Sequence, residues 1–277
     1  MEKHGFVVLT ETGVIRDAYL ELMHLLKAFF DGGSDWKESF KGGVHFNERG
    51  IPMWHAGYER CGNVREVFRA PASAFPPSSQ HQPWPCPRFE RAWLTILRLL
   101  QRVCHRALTL TLGRPVLGGP PAKTKISRDN AGGGGRESEH DSSDHDFSVS
   151  YALRYPNEFA DPELEKEDLT VGEHVDPSLF VAEPCCGVEG LEIYDRASGS
   201  WLPVEAVCAR LGSDGSRSLA EAEGRELILF GGKALERATE VRIRGAPHRV
   251  RRGDLGRRHC FIYEQKYAEF FPPPALD

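Results

Sequence analysis

The feature that most constrains the fold is a succession of short, apolar-rich segments in the second half of the chain. Gly, Pro and Asp separate them, which is the pattern of β-strands joined by tight turns. The segments span 147–155, 169–175, 179–182, 190–194, 201–204, 226–230, 240–244 and 259–265. Eight short strands in this order predict a β-sandwich or a barrel of the jelly-roll kind.

The first half of the chain is predicted to be mainly helical. Residues 6–9 are typical of a short strand, and an amphipathic helix follows until Gly32 and Gly33 end it. The apolar side of this helix consists of Leu20, Leu22, Met23, Leu25, Leu26 and Phe29. A second helix is predicted from Pro87 to Leu112, whereas residues 34–80 predict only loops and short turns. We expect residues 1–117 to form a helix-rich region that packs on the barrel.

Residues 118–148 differ sharply in composition from the rest of the chain. They contain few apolar side chains, four consecutive glycines and many acidic residues. Such a segment buries too little surface to offset its ordering entropy, so we predict a flexible loop. Its His140, Asp141, Asp144, His145 and Asp146 are interpreted as solvated side chains, because nothing rigid flanks them. The jelly-roll core is then expected over 149–277, which gives a mainly β, α+β fold with N-terminal helices.

Composition narrows the class of protein. With a net charge of −5, the chain of 277 residues has no basic excess to attract nucleic acid. No apolar run approaches the ~20 residues of a membrane helix, and 6–9 is too short for the core of a signal peptide. The seven cysteines include no CxxC pair and are expected to be reduced thiols. We therefore expect a cytoplasmic, monomeric protein whose partner is a small molecule rather than a nucleic acid or a membrane.

One pattern in the β half predicts a metal site. His174 and Asp176 are two residues apart, and side chains at this spacing on a strand point to the same face. His248, beside another predicted strand, is the candidate third ligand. Two imidazoles and one carboxylate form the facial triad of non-haem Fe(II) oxygenases, which leaves coordination positions open for a co-substrate and O₂.

A candidate anion-binding group follows the third ligand. Arg258 lies ten residues beyond His248 and precedes Cys260 in the stretch RRHCFIYEQ. A guanidinium donates two parallel hydrogen bonds to a carboxylate. Arg258 could therefore hold the distal carboxylate of a keto-acid whose other end chelates the iron.

These stretches resemble one known family, in the family's own order. SYALRYP, EHVDPSLFVAE, VEGLEIYDRASGSWLPVE, GRELILFGGKALERAT and PHRVRRGDLGRRHCFIYEQ are similar to successive strands of the 2-oxoglutarate/Fe(II)-dependent dioxygenases. The similarity is to the branch that includes isopenicillin N synthase. GFVVL and the helix from Pro87 match the N-terminal half of that family more loosely.

The resemblance implies a role for particular residues. His174, Asp176 and His248 match the iron ligands, Arg258 the arginine that binds the C5 carboxylate of 2-oxoglutarate, and Tyr155 a tyrosine that hydrogen-bonds the co-substrate. Cys260 stands at the usual serine of that site. The implied activity is oxidation, most simply hydroxylation, of a small organic substrate with Fe(II), 2-oxoglutarate, O₂ and, as a further electron source, ascorbate.

The chain also departs from the family pattern. The usual asparagine two residues before Tyr155 is Leu153, and Phe230 and Lys233 replace the usual Asn and Asp before the last ligand. Residues 205–224 are interpreted as an insertion. Two alternatives remain: an oxidase of the same fold that uses no keto-acid, and a non-catalytic jelly-roll binding protein that uses its acidic loop to bind partners.

Overall fold

The computed structural model describes residues 1–10, 13–46, 52–62, 64–72, 82–116, 146–156, 169–211, 217–252 and 256–271. The strands in these ranges are β1 (Phe6–Leu9), β2 (Lys41–Phe46), β3 (Pro52–Cys61), β4 (Arg65–Pro71), β5 (Val149–Tyr155), β6 (Leu169–His174), β7 (Phe180–Pro184), β8 (Leu191–Asp195), β9 (Ser200–Pro203), β10 (Leu227–Gly231), β11 (His248–Arg251) and β12 (Arg258–Glu264). The helices are α1 (Gly13–Phe30), α2 (Ser34–Glu38), α3 (Pro87–Leu112), α4 (Val204–Arg210), α5 (Leu219–Ala222) and α6 (Lys233–Ala238), followed by one 3-10 turn, Ala268–Phe270.

The strands form two antiparallel sheets. The large sheet has eight strands in the order β1-β10-β7-β12-β5-β4-β3-β2, and the small sheet has four in the order β6-β11-β8-β9. The non-sequential neighbours are typical of a jelly roll, in which the chain crosses between sheets. The predicted fold class, mainly β with flanking helices around a jelly-roll core, is confirmed.

The large sheet is covered on both faces. Along β12, Phe261 and Tyr263 belong to the hydrophobic cluster that includes α1 and α3. Arg258, Ile262 and Glu264, which alternate with them, line a cavity that the small sheet also borders. Because alternate side chains of a strand point to opposite faces, one strand serves both the core and the cavity.

The two long helices cover the outer face because their apolar residues recur at helical spacing. α3 begins with Pro87 at its first position and ends at Gly113, whose φ of 67° places it in the left-handed region. Trp93 lies at the centre of the contact, fully buried, with its ring centroid 4.9 Å from that of Phe261. Its indole N–H donates a hydrogen bond of 2.9 Å to the hydroxyl of Ser150. This bond lets a large polar aromatic side chain be buried without an unsatisfied donor.

The prediction of loops for residues 34–80 was wrong, because β2, β3 and β4 lie there. Charged residues interrupt the apolar alternation that would have marked β4. Glu66 pairs with Arg154 at 2.7 Å and also with Lys37, while Arg65 and Arg69 face the cavity. The N-terminal region therefore contributes half of the large sheet in addition to helices.

The strand predicted over 240–244 was also wrong. Glu240 and Val241 have φ values of 50° and 65°, in the left-handed region that an extended strand does not use. The hydroxyl of Thr239 accepts a hydrogen bond of 3.1 Å from the backbone N–H of Ile243, which closes a turn there. The strand instead begins at His248.

Several other expectations can be compared with the described residues. All seven cysteines are free thiols, and five of them are buried. No helix in the described part of the chain is both long and apolar enough to span a membrane. The predicted flexible loop over 118–148 falls outside the described residues except for 146–148. The predicted insertion over 205–224 contains most of α4 and all of α5.

We expect Trp93→Ala to destabilise the fold by about 3–5 kcal/mol, because it removes a buried indole and leaves a cavity. Leu110→Ala on the same helix is the control, since Leu110 is 70% exposed. That change should stay within about 0.5 kcal/mol of the parent. Urea denaturation measures both values, and equal losses in the two variants would contradict the assigned core.

His259 should make stability depend on pH. Burial, together with the charges of Lys27 and Arg154, lowers the pKa of His259 to about 4. The unfolded imidazole titrates at about 6.5, so folding favours the neutral ring. The stability that this ring contributes is present above pH 6.5 and is lost as the pH falls towards 4.

The test is the free energy of unfolding of the parent and of His259→Gln between pH 7.5 and pH 4. The glutamine cannot titrate, so the parent should lose stability relative to the variant as the pH is lowered. A difference between the two proteins that stays constant with pH would show that His259 is not held neutral by the fold.

Candidate metal centre

The three predicted metal ligands meet at one end of the small sheet. His174 is the last residue of β6 and His248 the first of β11, and the two are direct partners in the antiparallel register. Their ring centroids are 4.2 Å apart. Asp176 follows two residues after His174. The structure therefore brings together all three residues that the sequence analysis proposed.

The carboxylate of Asp176 lies between the two imidazoles. Its Oδ1 is 3.6 Å from Nε2 of His174, and its Oδ2 is 3.3 Å from Nε2 of His248. One ligand atom from each residue lies within 4.8 Å of those of the other two. His248 is buried and His174 is exposed, so the site opens on the side of β6.

Backbone carbonyls fix the orientation of both rings. Nδ1 of His174 lies 2.8 Å from the carbonyl of Gly172, and Nδ1 of His248 lies 3.1 Å from that of Ala246. A neutral imidazole that donates through Nδ1 presents the lone pair of Nε2 to a metal. Both rings therefore aim Nε2 at Asp176. His248 donates a proton from this nitrogen to the carboxylate, and a bound metal would replace that proton.

The electrostatics of the site favour a charged carboxylate. Burial alone would raise the pKa of Asp176, but the hydrogen bond from His248 and the two imidazoles keep it below its ordinary value. Burial alone would lower the pKa of His248, and Asp176 raises it instead. Two nitrogen donors and one ionised oxygen donor on one side of an open cavity fit the 2-His-1-carboxylate pattern of Fe(II) sites.

The loop that carries Asp176 is held by backbone hydrogen bonds. The backbone N–H of Lys233 donates to the carbonyl of Asp176 at 2.8 Å, and that of Gly232 donates to Leu179 at 2.9 Å. A Cβ at Gly232 would lie 2.3 Å from the carbonyl oxygen of Ser178, so only glycine permits this approach. The ligand loop is therefore fixed against the end of β10.

The metal ligands line a cavity of about 280 Å³ between the two sheets. Its walls combine apolar and aromatic side chains with several charged groups. The aromatic residues are Trp54, Tyr151, Tyr155 and Phe230. The charged residues besides the ligands are Arg65, Arg69, Glu183, Arg258 and Glu264. A cavity in which apolar and aromatic side chains surround converging polar groups is typical of a small-molecule site.

Arg258 lines the cavity, but its charge is already paired. Its Nη2 donates to Glu183 at 2.7 Å and to Glu205 at 2.9 Å. The three side chains are at most 3% exposed. Gly190 makes room for them, because a Cβ there would lie 2.7 Å from Cδ of Arg258. Neither glutamate was predicted from the sequence, although each stands in an otherwise apolar stretch, FVAEP or WLPVE.

The other two predicted co-substrate residues lie near Arg258. Tyr155 is its register partner, and the guanidinium carbon lies 5.6 Å from the centroid of the tyrosine ring. Cys260 is fully buried in an apolar cluster with Leu153, Tyr155 and Cys186. Their roles in binding a co-substrate stay predictions. Arg65, Arg69 and Trp54 are cavity residues that the sequence analysis missed, because it placed their segment in loops.

No family model matches the chain, and no curated protein does. Solved structures do match. A Neurospora crassa protein, crystallised with alpha-KG and 5-formyluracil, superposes with a TM-score of 0.63 at 15% identity, over 96% of this chain and 75% of that chain. The rice dioxygenase for auxin oxidation superposes with a TM-score of 0.63 at 16% identity, over 96% of this chain and 74% of that chain. A putative 2OG-Fe(II) oxygenase family protein of Caulobacter crescentus superposes with a TM-score of 0.62 at 18% identity, over 96% of this chain and 79% of that chain.

At these identities the comparison establishes the fold. The chain has the jelly-roll fold of the 2OG-Fe(II) oxygenases, and the resemblance in its sequence motifs is confirmed at that level. The structural match covers both halves of the chain, including the N-terminal half, in which the motifs were weakest.

We expect Asp176→Asn to weaken Mn(II) or anaerobic Fe(II) binding on the order of a hundredfold or more, because a neutral amide is a poor ligand for these cations. The parent should bind one ion per chain in equilibrium dialysis. Asp195→Asn is the matched control, since Asp195 also pairs with a histidine, His4 at 2.7 Å, outside the cavity. Unchanged stoichiometry and affinity in Asp176→Asn would overturn the metal assignment.

Proposed function

We propose that the chain is a non-haem Fe(II) and 2-oxoglutarate-dependent dioxygenase that oxidises a small organic substrate, by hydroxylation in the simplest case. The observation that carries this proposal is the convergence of His174, Asp176 and His248 on one side of a cavity between the two sheets. Fe(II) bound there would supply the activation of O₂, coupled to conversion of 2-oxoglutarate into succinate and CO₂. The protein would hold the three ligands, orient the organic reactants and exclude water.

The charge and shape of the cavity support a keto-acid as co-substrate. The wall opposite the small sheet contains arginines and the hydroxyl group of Tyr155, which suit a carboxylate. Two proteins of similar fold have been crystallised with this compound. They are the Neurospora crassa protein with alpha-KG, which is 2-oxoglutarate, and JOX2 with 2OG, Fe and JA. In this proposal Arg258 and Tyr155 border the end of the cavity that receives the distal carboxylate, and Cys260 packs behind Tyr155.

The size of the cavity supports a small substrate. A volume of about 280 Å³ is just below the ~300–1,000 Å³ typical of ligand pockets. The co-substrate would fill part of it. The rings of Trp54 and Tyr151, with centroids 6.4 Å apart, border the remaining space and suit a flat or apolar molecule. The Neurospora crassa protein has been crystallised with thymine, which is a molecule of that size class.

We also propose that the protein acts as a cytoplasmic monomer and does not bind nucleic acid. The seven free cysteines support a reducing compartment. The net charge of −5 provides no overall attraction for a polyanion.

One observation favours a second candidate, an oxidase of the same fold that takes its electrons from the substrate or from ascorbate. The charge of Arg258 is balanced by two buried carboxylates, Glu183 and Glu205. A co-substrate carboxylate at Arg258 would have to compete with them. This candidate predicts oxygen consumption without any requirement for 2-oxoglutarate.

The test is the conversion of labelled 2-oxoglutarate to succinate by the Fe(II)-loaded protein, with and without ascorbate. The parent should form succinate, and His174→Ala should lose on the order of a hundredfold or more of that rate together with iron binding. His24→Ala, a histidine of α1 outside the cavity, is the control. Oxygen consumption by the parent that does not depend on 2-oxoglutarate would favour the oxidase. Undiminished succinate formation by His174→Ala would overturn the iron assignment.

A further inference from the structure

Three arginines line the cavity, and the protein balances their charges differently. Arg258 is paired with Glu183 and Glu205, and Arg69 with Glu59. Arg65 contacts the hydroxyl group of Tyr155 and the thiol of Cys61. Among the described residues, no carboxylate lies within ion-pair distance of Arg65. Arg65 is therefore the cavity arginine whose charge those residues leave uncompensated.

We propose that Arg65, acting with the hydroxyl of Tyr155, is the group that binds the distal carboxylate of 2-oxoglutarate, while Arg258 holds the cavity wall together. This inference rests on the proposed function, because it names the residue that would recognise the co-substrate.

The strand register places Arg65 where it can do this. Glu66 of β4 is the partner of Arg154 of β5, so the preceding residue, Arg65, lies beside Tyr155. Tyr155 in turn is the partner of Arg258 on β12. The three side chains form one row across three neighbouring strands, and all three line the cavity. A carboxylate in contact with Arg65 could therefore also accept a hydrogen bond from Tyr155.

Tyr155 is suited to donate that bond. Burial raises the pKa of Tyr155 well above the ordinary value, so its hydroxyl keeps its proton at any physiological pH. A partly buried guanidinium beside a neutral donor gains more from a ligand carboxylate than an arginine that is already paired.

Arg258 is poorly placed to accept a second anion. Glu205 is also held by the backbone N–H groups of Gly190 and Leu191, at 3.4 and 3.3 Å. If Arg258 turned towards a ligand, Glu183 and Glu205 would remain buried without their counter-charge, which is costly. The cluster instead links β7, α4 and β12, so Arg258 is a positioning residue.

The experiment measures 2-oxoglutarate binding to Mn(II)-loaded protein by calorimetry, which needs no turnover. Arg65→Gln should raise the dissociation constant on the order of tenfold or more, because it removes charge-assisted hydrogen bonds. Arg65→Lys should recover part of the loss. Arg258→Lys, which keeps the charge near the glutamates, should change it less than Arg65→Gln does. Arg60→Gln, on the neighbouring strand and exposed, is the control.

A second ligand separates direct recognition from a structural effect. 2-Oxopentanoate has the same chain length and keto-acid group but a methyl group in place of the distal carboxylate. The penalty of Arg65→Gln should disappear with this ligand. An equal penalty for both ligands would show that the variant disturbs the cavity, and would overturn the inference.

Two further outcomes distinguish this inference from the proposed function. If Arg65→Gln binds 2-oxoglutarate as the parent does and Arg258→Lys does not, Arg258 is the binding residue and the proposed function stands. If the Mn(II)-loaded parent binds no 2-oxoglutarate, both the inference and the use of this co-substrate are overturned. The metal assignment is tested separately, by the equilibrium dialysis of Asp176→Asn.

Discussion

Side chains that alternate along β4, β5 and β12 pack under the helices on one face and line the cavity on the other. Phe261 is in the helix-covered core, and Arg258 and Ile262 are on the cavity side. The cavity opens to solvent beside β6, but its inner wall is buried, with Arg258 1% and Glu183 2% exposed. Polar groups on the cavity side must therefore be satisfied by other protein groups or by a ligand. The rest of the site follows from this requirement.

The charges of the cavity wall show how the protein meets that requirement. Burial raises the pKa of Glu205, and the charge of Arg258 opposes that rise. The charged form of Glu205 is therefore stabilised by its contact with Arg258. Glu183 is hydrogen-bonded both by Arg258 and by the thiol of Cys186, at 3.3 Å. Removing Arg258 would leave two buried carboxylates without their counter-charge. The cluster thus behaves as part of the scaffold, and ligand binding falls to groups whose charge remains available.

The sequence predicted the elements whose apolar periodicity is unbroken. α3 was predicted at its observed limits, from Pro87 to Leu112, because a proline begins it, a glycine follows it and apolar residues recur through its length. β4 was missed because Arg65 and Arg69 stand at positions that look solvent-facing but border the cavity. The turn at Val241 was predicted as a strand because its φ of 65° is set by hydrogen bonds that the local sequence does not reveal.

The metal ligands could be predicted for a different reason. Two of them are two residues apart, so local geometry alone places them on one face. The partners of Arg258 could not be predicted, because Glu183 and Glu205 come from separate elements that meet only in the folded chain. Long-range contacts of this kind decide which arginine is available to a ligand, and no spacing in the sequence contains that information.

The end of β10 shows how the site tolerates its departures from the family pattern. Phe230 packs on the imidazole of His248, with ring centroids 4.8 Å apart, and is itself almost fully buried. Lys233 supports Asp176 through its backbone N–H, which does not depend on the side chain. The short segment from β10 to the start of α6 thus fixes two ligands by packing and by main-chain bonds. The polar residues that the family usually has there are unnecessary for this support, so their replacement leaves the geometry of the metal centre intact.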